Sequence, residues 1–337
     1  MEMKITKALR QESVALHSAI PLSTPFTFNV TTNNYCNFRC IYCHQSLDKK
    51  IVEKHYGKKA ALSFSTFQNA VDGMAQFQNR FKVFNFCGTG ETLLTPQLPE
   101  MVHYANMKGV VERTNIVTNA YALTHSLSDA LIDAGLGSLR ISIQGLTPEK
   151  YEEICGVKLN MEQFLEQISY FYSRKKQCEV HIKIIDIALD GSSADEFYQL
   201  FGKYADYIAV EHFIPNQLIS YERVGKTDSE FTVHGLKKTN IDVCFSAFYA
   251  LTLNMNGDIY PCCSNPQAGC LGNVNEMTVY DMWNSQKMHN FWMMQLKNRY
   301  SHPICKNCMR PTNAVQEGDN LDPYREEILK RLGEHNG

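Results

Sequence analysis

The chain has 337 residues, 44% of them hydrophobic and 20% charged, which is material for one large core or two smaller ones at about 150 residues per domain. Its 33 Lys and Arg against 35 Asp and Glu leave a formal charge of −2, so no global basic field recruits nucleic acid or an anionic membrane. No apolar run approaches the roughly 18–20 residues that cross a bilayer, and the opening MEMKITKALRQES has charges but no apolar export stretch. These features point to a soluble, cytoplasmic globular chain.

Residues 1–23 read as a polar, partly amphipathic helical segment interrupted by Pro21. FTFNVTT (26–32) then alternates apolar and polar residues and predicts a strand. Cys36, Cys40 and Cys43 follow at once in NNYCNFRCIYCHQ, a loop running into a helix. A Ser-x-Ser-Thr start at 63–66 opens a helical pattern to about Gln78, with Phe67, Val71, Met74 and Phe77 on one face. Strands are predicted at 82–87, 113–118, 139–144, 179–189 and 206–214, and helices near 97–108, 124–135, 160–174 and 194–203. That alternation gives about six βα units and a parallel sheet or partial barrel over 24–220. The uneven, polar stretch 221–243 reads as a linker. From 244 to 320 short strands, turns and cysteines replace βα units, and 321–337 reads as a C-terminal helix or tail.

Twelve cysteines are too sparse for a disulfide scaffold, and reduced thiols that cluster point to metal or catalysis. They form two groups, with Cys87, Cys155 and Cys178 standing alone. The first, Cys36-x3-Cys40-x2-Cys43, supplies three soft ligands, which can hold three irons of a [4Fe–4S] cluster and leave the fourth open. A zinc loop that borrows His44, or simple buried thiols, is the other reading. In the second, LTLNMNGDIYPCC reads as a hairpin with an Asn256-Gly257 turn. With Cys244, Cys263, Cys270, Cys305 and Cys308, Cys262 makes a group of six thiols, more than the four that an iron–sulfur cluster or a structural zinc needs.

Cys36-Asn-Phe-Arg-Cys-Ile-Tyr-Cys43, with aromatic Tyr42 before the last cysteine, resembles the C-x3-C-x-aromatic-C loop of the radical S-adenosylmethionine (radical SAM) superfamily. Cys244-x12-Gly257-x4-Cys262 resembles the opening of that superfamily's SPASM/twitch extension. No cysteine follows Cys308, so the likeness is to the shorter twitch type with one auxiliary [4Fe–4S] cluster. The resemblance implies Cys244, Cys262, Cys305 and Cys308 as its ligands and leaves Cys263 and Cys270 over. Those four thiolates would equally suit a structural zinc by count alone. The implied fold is α/β, a partial (βα)6 barrel with a small C-terminal Cys-rich twitch/SPASM-like iron–sulfur domain. FNFCGTGETLL resembles the family's Gly-Gly-Glu-Pro turn through Gly88, Gly90 and Glu91, with Thr92 in place of Pro. VTNAY resembles its Thr-Asn-Gly turn, with Ala120 in place of Gly, and SIQGLTPEKY its Ser-Ile-Asp-Gly stretch, with Gln144 in place of Asp. By resemblance, Tyr42, Gly88, Gly90, Glu91, Asn119, Ser142 and Gln144 are SAM-binding candidates. Capping and turn roles are the alternative for the polar strand-end residues among them.

The resemblance implies that the open iron binds the amino and carboxylate groups of SAM. An electron then splits SAM into methionine and a 5′-deoxyadenosyl radical, which abstracts hydrogen from substrate. A fully Cys-ligated auxiliary cluster has no open site and suits electron transfer. The expected net reaction is therefore a two-electron oxidation of a hydroxylated small molecule such as a sugar or aminocyclitol. It needs a base, for which Asp186, His212, Glu211, Lys183 and His44 lie at suitable strand ends. Crosslinking or thioether formation in a ribosomal peptide is the alternative, as is a radical epimerase with Cys155 as thiol hydrogen donor. A non-catalytic zinc protein is the reading from a different class. The expected electron donor is of the flavodoxin or ferredoxin kind, with neither nucleic acid nor membrane as partner.

Overall fold

The computed structural model describes residues 4–5, 15–189, 191–215, 218–225, 229–263, 267–316 and 318–334. The strands are β1 (Lys4–Ile5), β2 (Thr27–Val30), β3 (Phe81–Phe86), β4 (Val111–Thr118), β5 (Ser138–Ile143), β6 (Glu179–Ile185), β7 (Tyr207–Glu211), β8 (Ala250–Leu253), β9 (Asp258–Tyr260) and β10 (Gly272–Asn273). They form one sheet in the order β1-β7-β6-β5-β4-β3-β2-β8-β9-β10. All pairs from β1 to β8 are parallel, and β8-β9-β10 is antiparallel. Sequential parallel strands lie side by side because each returns through a helix, the economical right-handed crossover. β2 and β7 do not pair with each other, so the barrel is unclosed.

The crossover helices start where the sequence offers caps. The side chains of Ser63, Thr124 and Asn160 accept from amides three residues on, and Ser193 forms a reciprocal capping box with Glu196. Outward strand residues such as Phe28, Phe84, Ile116, Ile141, Ile182 and Ile208 are fully buried under these helices. The opposite, inward face is polar. Asn115 Nδ2 donates to Asn85 Oδ1 at 2.9 Å, Asn85 Nδ2 to Asn29 Oδ1 at 3.1 Å and Asn29 Nδ2 to Thr252 Oγ1 at 3.3 Å. This amide ladder crosses four adjacent strands at one level of the barrel interior.

Three local expectations change. Lys4–Ile5 is an edge strand against β7 rather than part of a helix, and among the described residues of the N-terminal segment Leu16–Ala19 is helical; 1–3 and 6–14 lie outside the described residues. β6 stops at Ile185, where Asp186–Ala188 turns as a 3-10 helix. The helix opened by Ser63 ends at Asp72 rather than near Gln78.

The Cys-rich region is mounted directly on the barrel, since β8 pairs with β2 from Thr27 opposite Ala250 to Val30 opposite Leu253. Trp283 Nε1 donates to Leu22 O and Trp292 Nε1 to Ala247 O, each at 2.9 Å. The helix Gln286–Asn298 and the final helix Arg325–Glu334 complete this side. Among the described residues no helix is long and apolar enough to cross a membrane.

Candidate functional site

The first cysteine group leaves the C-terminal end of β2, where barrel sites gather. Arg39 N donates to Cys155 O at 3.0 Å and Ile41 N to Ile154 O at 2.8 Å, so the loop satisfies the last carbonyls of the helix Pro148–Cys155. Gln45 Nε2 donates to Asn34 O at 2.9 Å and Thr89 O at 2.8 Å, closing the loop against the end of β3. From the linker, Arg223 donates to Ile41 O and Ser46 Oγ, both at 3.1 Å.

Within the loop, Cys36 Sγ accepts from Phe38 N at 3.3 Å and from Asn119 Nδ2 at 3.8 Å. Burial pushes the Cys36 thiol up to about 12 and the Cys43 thiol up to about 11. The Cys40 thiol is raised too, by the neighbouring Cys155 sulfur and then by burial. Three thiols this reluctant to ionise alone are suited to a group that brings compensating positive charge, as iron does. The donor set therefore fits an iron–sulfur cluster.

The turn after β3 is packed against this loop. An added Cβ at Gly90 would lie 1.9 Å from Asn33 Oδ1 and 2.5 Å from Tyr35 O, so only glycine lets the two segments approach. Gly88 has φ +148 and would meet Thr31 within 2.7 Å. Glu91, one of the SAM-binding candidates, is buried with its pKa raised by that burial. Its Oε1 accepts from Leu93 N at 2.9 Å and Thr118 Oγ1 at 2.5 Å, and its Oε2 from Asn119 N at 2.8 Å. Three of its roughly four acceptor sites are used, so its visible work is tying the end of β3 to the end of β4. That contact places Asn119, whose Nδ2 also donates to Asn37 Oδ1 at 2.9 Å. Ala120, where the related turn has glycine, has φ 59. Beyond β5, Gln144 is buried, its Nε2 on Ser142 O at 3.0 Å and its Oε1 without a partner. Tyr42 packs its ring near Phe213, with its hydroxyl buried beside Cys40.

Five thiols of the second group lie together. Cys244, Cys262, Cys305 and Cys308 line one apolar pocket, joined by Cys263. Burial, then the neighbouring thiols, pushes the Cys244 thiol up, the same argument for a positively charged occupant. Gln295 Nε2 donates to Cys305 Sγ at 3.4 Å. Buried Arg299 donates through Nη1 to Cys305 O at 2.8 Å and Cys308 O at 3.1 Å, holding the Cys-x2-Cys turn. Cys270 is exposed and does not line the pocket.

A cavity of about 610 Å³ joins the two groups, lined by Cys43, His44 and Gly88 on one side and by Cys263, Cys308 and Arg310 on the other. His44 is stacked on Tyr56, and burial holds it down to about 4. Asp186 and His212 do pair, Oδ2 to Nδ1 at 3.4 Å. However, β6 and β7 are in register at Ile185 and Glu211, which sets Lys183 and Glu211 on one face of the sheet, while His212 lies just beyond the end of β7. Lys183 Nζ donates to Glu211 Oε2 at 2.5 Å. Cys155 is fully buried, its Sγ donating to Tyr151 O at 2.9 Å; it is a packing thiol behind the loop, not a group at the cavity.

Asn33, Gln45, Arg299 and Arg310 escaped the sequence reading. The run Thr31-Thr32-Asn33-Asn34, all buried directly after a strand, was the available signal for the first of these.

A partial βα barrel with three thiols after its first core strand, and a second thiol pocket hung on the same sheet, defines an iron–sulfur enzyme of the SAM-dependent type. The family profile for the Radical SAM superfamily matches residues 30–210, and that for SPASM, an iron-sulfur cluster-binding domain, matches residues 244–309. The chain belongs to the radical SAM superfamily, and its two domains imply a [4Fe–4S] cluster, an auxiliary cluster and SAM. Among curated relatives, the probable GTP 3',8-cyclase of Metallosphaera sedula is 26% identical over 205 residues, 61% of this chain and 58% of that protein. The GTP 3',8-cyclase of a Picosynechococcus species is 35% identical over 125 residues, 36% of this chain and 35% of that protein. The chain thus spans less than two thirds of the length of either. Among solved structures, BtrN in complex with AdoMet and 2-DOIA is 16% identical with a TM-score of 0.54, covering 88% of this chain and 97% of BtrN. Native anSMEcpe with bound AdoMet is 16% identical at a TM-score of 0.58, covering 92% and 98%. Streptococcus suis SuiB bound to S-adenosylmethionine is 15% identical at 0.58, covering 88% and 74%. At these identities the likeness is one of fold.

Proposed function

We propose that the chain couples SAM cleavage to a two-electron oxidation of a hydroxylated small molecule held between its two cysteine groups. The observation that carries this reading is the single cavity with Cys43 at one side and Cys263 and Cys308 at the other. When bound, the first cluster with SAM supplies the hydrogen-abstracting radical, and the auxiliary cluster supplies an electron acceptor. Cys36, Cys40 and Cys43 hold the first; Cys244, Cys262, Cys305 and Cys308 hold the second.

Gly88 lets backbone come close to SAM, while Asn119, Ser142 and the unpartnered Gln144 Oε1 orient its polar groups. Glu91 acts through Asn119 as a positioning residue. The hydroxyl proton passes to the Lys183–Glu211 pair, which sits on the inward face of β6 and β7. Overall the substrate loses one hydrogen atom from carbon, one proton from oxygen and one electron, giving a carbonyl. The likeness of fold to BtrN supports a small-molecule substrate, and an external one-electron donor of the flavodoxin or ferredoxin class completes the cycle.

The test is product analysis with the reconstituted protein and candidate hydroxylated molecules in deuterated buffer. The expected product is two mass units lighter than substrate, with one 5′-deoxyadenosine released per turnover. A product of unchanged composition that carries one solvent deuterium would instead identify an epimerase and overturn the oxidation.

A further inference from the structure

We propose that Gln295 and Ser246 donate hydrogen bonds to the sulfurs of the auxiliary cluster and raise its potential, so that it takes an electron from the substrate. This rests on the auxiliary cluster being the electron acceptor of the proposed function. Neither residue holds iron itself; both act through the cluster's sulfurs as positioning residues.

Gln295 lies on the helix Gln286–Asn298, whose buried residues are Met288, Phe291, Trp292, Gln295 and Leu296. Their spacing of one to four residues makes a single stripe that faces the core. An amide thus stands where the helix otherwise buries apolar side chains, and it is 2% exposed. Burying an amide is costly unless its hydrogen bonds are made. Gln295 Nε2 donates to Cys305 Sγ at 3.4 Å, while Oε1 has no partner. Among the described residues that sulfur is the one partner of the side chain. A thiolate on iron carries lone pairs and no proton, so it can only accept, which fixes the amide with its N–H towards the sulfur.

Ser246 is the second donor. It lies two residues after Cys244 in the turn Phe245–Phe248, is 1% exposed and lines the same pocket as the five thiols. Its Oγ has no partner among the described residues. Ala247, Pro261, Ala268, Phe291 and Ile304 make the surrounding wall apolar. Of the other polar side chains on that wall, Arg299 is spent on the Cys305 and Cys308 carbonyls, and Arg310 is exposed. A hydroxyl buried in such a wall stays unsatisfied unless the occupant of the pocket accepts from it, and cluster sulfurs accept.

Reduction adds negative charge to the cluster and makes its sulfurs better acceptors. Donors aimed at them therefore stabilise the reduced form more than the oxidised one, which raises the potential. An apolar surround strengthens the effect, because nothing in it screens the added charge.

The experiment is a redox titration of the reconstituted holoenzyme followed by electron paramagnetic resonance, in wild type, Gln295→Met and Ser246→Ala. SAM alters the signal of the cluster that binds it, so the SAM-insensitive signal reports the auxiliary cluster. Gln295→Met roughly keeps the side-chain volume and removes the donor. The reduction equilibrium of the auxiliary signal should fall about tenfold, a shift of about 59 mV to lower potential for one electron. Ser246→Ala should shift it in the same direction, and the SAM-sensitive signal should keep its potential in both variants. Iron content is measured in parallel; should Gln295→Met lose iron, Ser246→Ala, which removes an oxygen with no other partner, decides. A purely structural Gln295 would cost melting temperature and leave the potential where it was. Unchanged or higher potentials at full iron content would therefore overturn the proposal. Absence of any SAM-insensitive cluster signal in wild type would sink the functional reading instead, and that result needs no variant.

Discussion

Replacing Gly90 by alanine tests whether the β3 turn is what holds the first cysteine group in place. The new methyl would fall 1.9 Å from Asn33 Oδ1, 2.5 Å from Tyr35 O and 2.8 Å from Asn33 O. Asn33 Oδ1 alone could swing aside. The two carbonyls are backbone, and Tyr35 immediately precedes Cys36. Relief therefore means moving the loop itself, which breaks Glu91 N to Tyr35 O at 2.8 Å and Asn33 Nδ2 to Glu91 O at 2.8 Å. Overpacking costs about 1–3 kcal/mol, and two buried hydrogen bonds add about 1–3 kcal/mol each. The total, on the order of 3–9 kcal/mol, is a large part of a typical domain's stability. Its first effect should be local, on the three thiols. Reconstituted wild type should hold about eight iron per chain and the Gly90→Ala variant about four, with SAM cleavage lost. Gly333→Ala, on the last helix with nothing within 4 Å of its new methyl, is the matched control and should behave as wild type. A Gly90→Ala protein with full iron and wild-type SAM cleavage would refute the reasoning.

Three further outcomes follow from the same structure. Ala120 sits at φ 59, where a non-glycine residue costs about 1–2 kcal/mol, so Ala120→Gly should stabilise by about 0.5–1 kcal/mol net of glycine's entropy; a lower melting temperature would contradict this. His181 is buried, and that burial, then the charge of Arg140, holds its pKa down to about 4. The unfolded chain, with an ordinary pKa of about 6.5, then binds more protons, so this stability is present above about pH 6.5 and lost as pH falls towards 4, up to about 3 kcal/mol. Urea unfolding of wild type and His181→Gln at pH 7 and pH 5 should show the steeper loss in wild type; parallel losses would exclude His181 as the cause. Cys244→Ala should cost the iron of the auxiliary pocket, whereas Cys270→Ala, at an exposed position outside it, should leave iron content unchanged.

The barrel strands were legible because each has one face on helices and one on a polar interior, so the period-2 pattern survives from Phe28 to Ile208. The cysteine groups were legible because thiol spacing is a local property. What could not be read was non-local. Nothing in 250–253 announces that it pairs with 27–30, and nothing in KI at 4–5 announces β7. The amide ladder of Asn29, Asn85 and Asn115 is three unremarkable strand residues until register aligns them. Asp186 and His212 each lie one residue beyond a strand, and their contact with one another depends on where β6 and β7 stop. Glu91 could be found from its turn, while its partners Thr118 and Asn119 belong to the next strand. Arg310 and Asn313 follow the last cysteine, where no spacing rule marks a residue, and that both line the cavity is visible only in the fold.

The pairing of β8 with β2 makes the two cofactor-bearing regions a single mechanical part. In many multidomain enzymes the separation of two redox sites is set by a hinge and varies with it. Here four in-register residues, Thr27 to Val30 against Ala250 to Leu253, set it through backbone hydrogen bonds. The same strand that ends in the first cysteine loop also carries the edge on which the second thiol pocket is hung. Cutting the chain before residue 244 would strip β2 of that neighbour and leave a bare parallel edge, an invitation to aggregation. A grafted auxiliary unit from a relative would work only if its hairpin adopted this register, because a slip of two residues along a strand displaces everything attached by about 6.6 Å. Evolution can therefore vary the barrel's loops without changing the separation of the two cysteine groups.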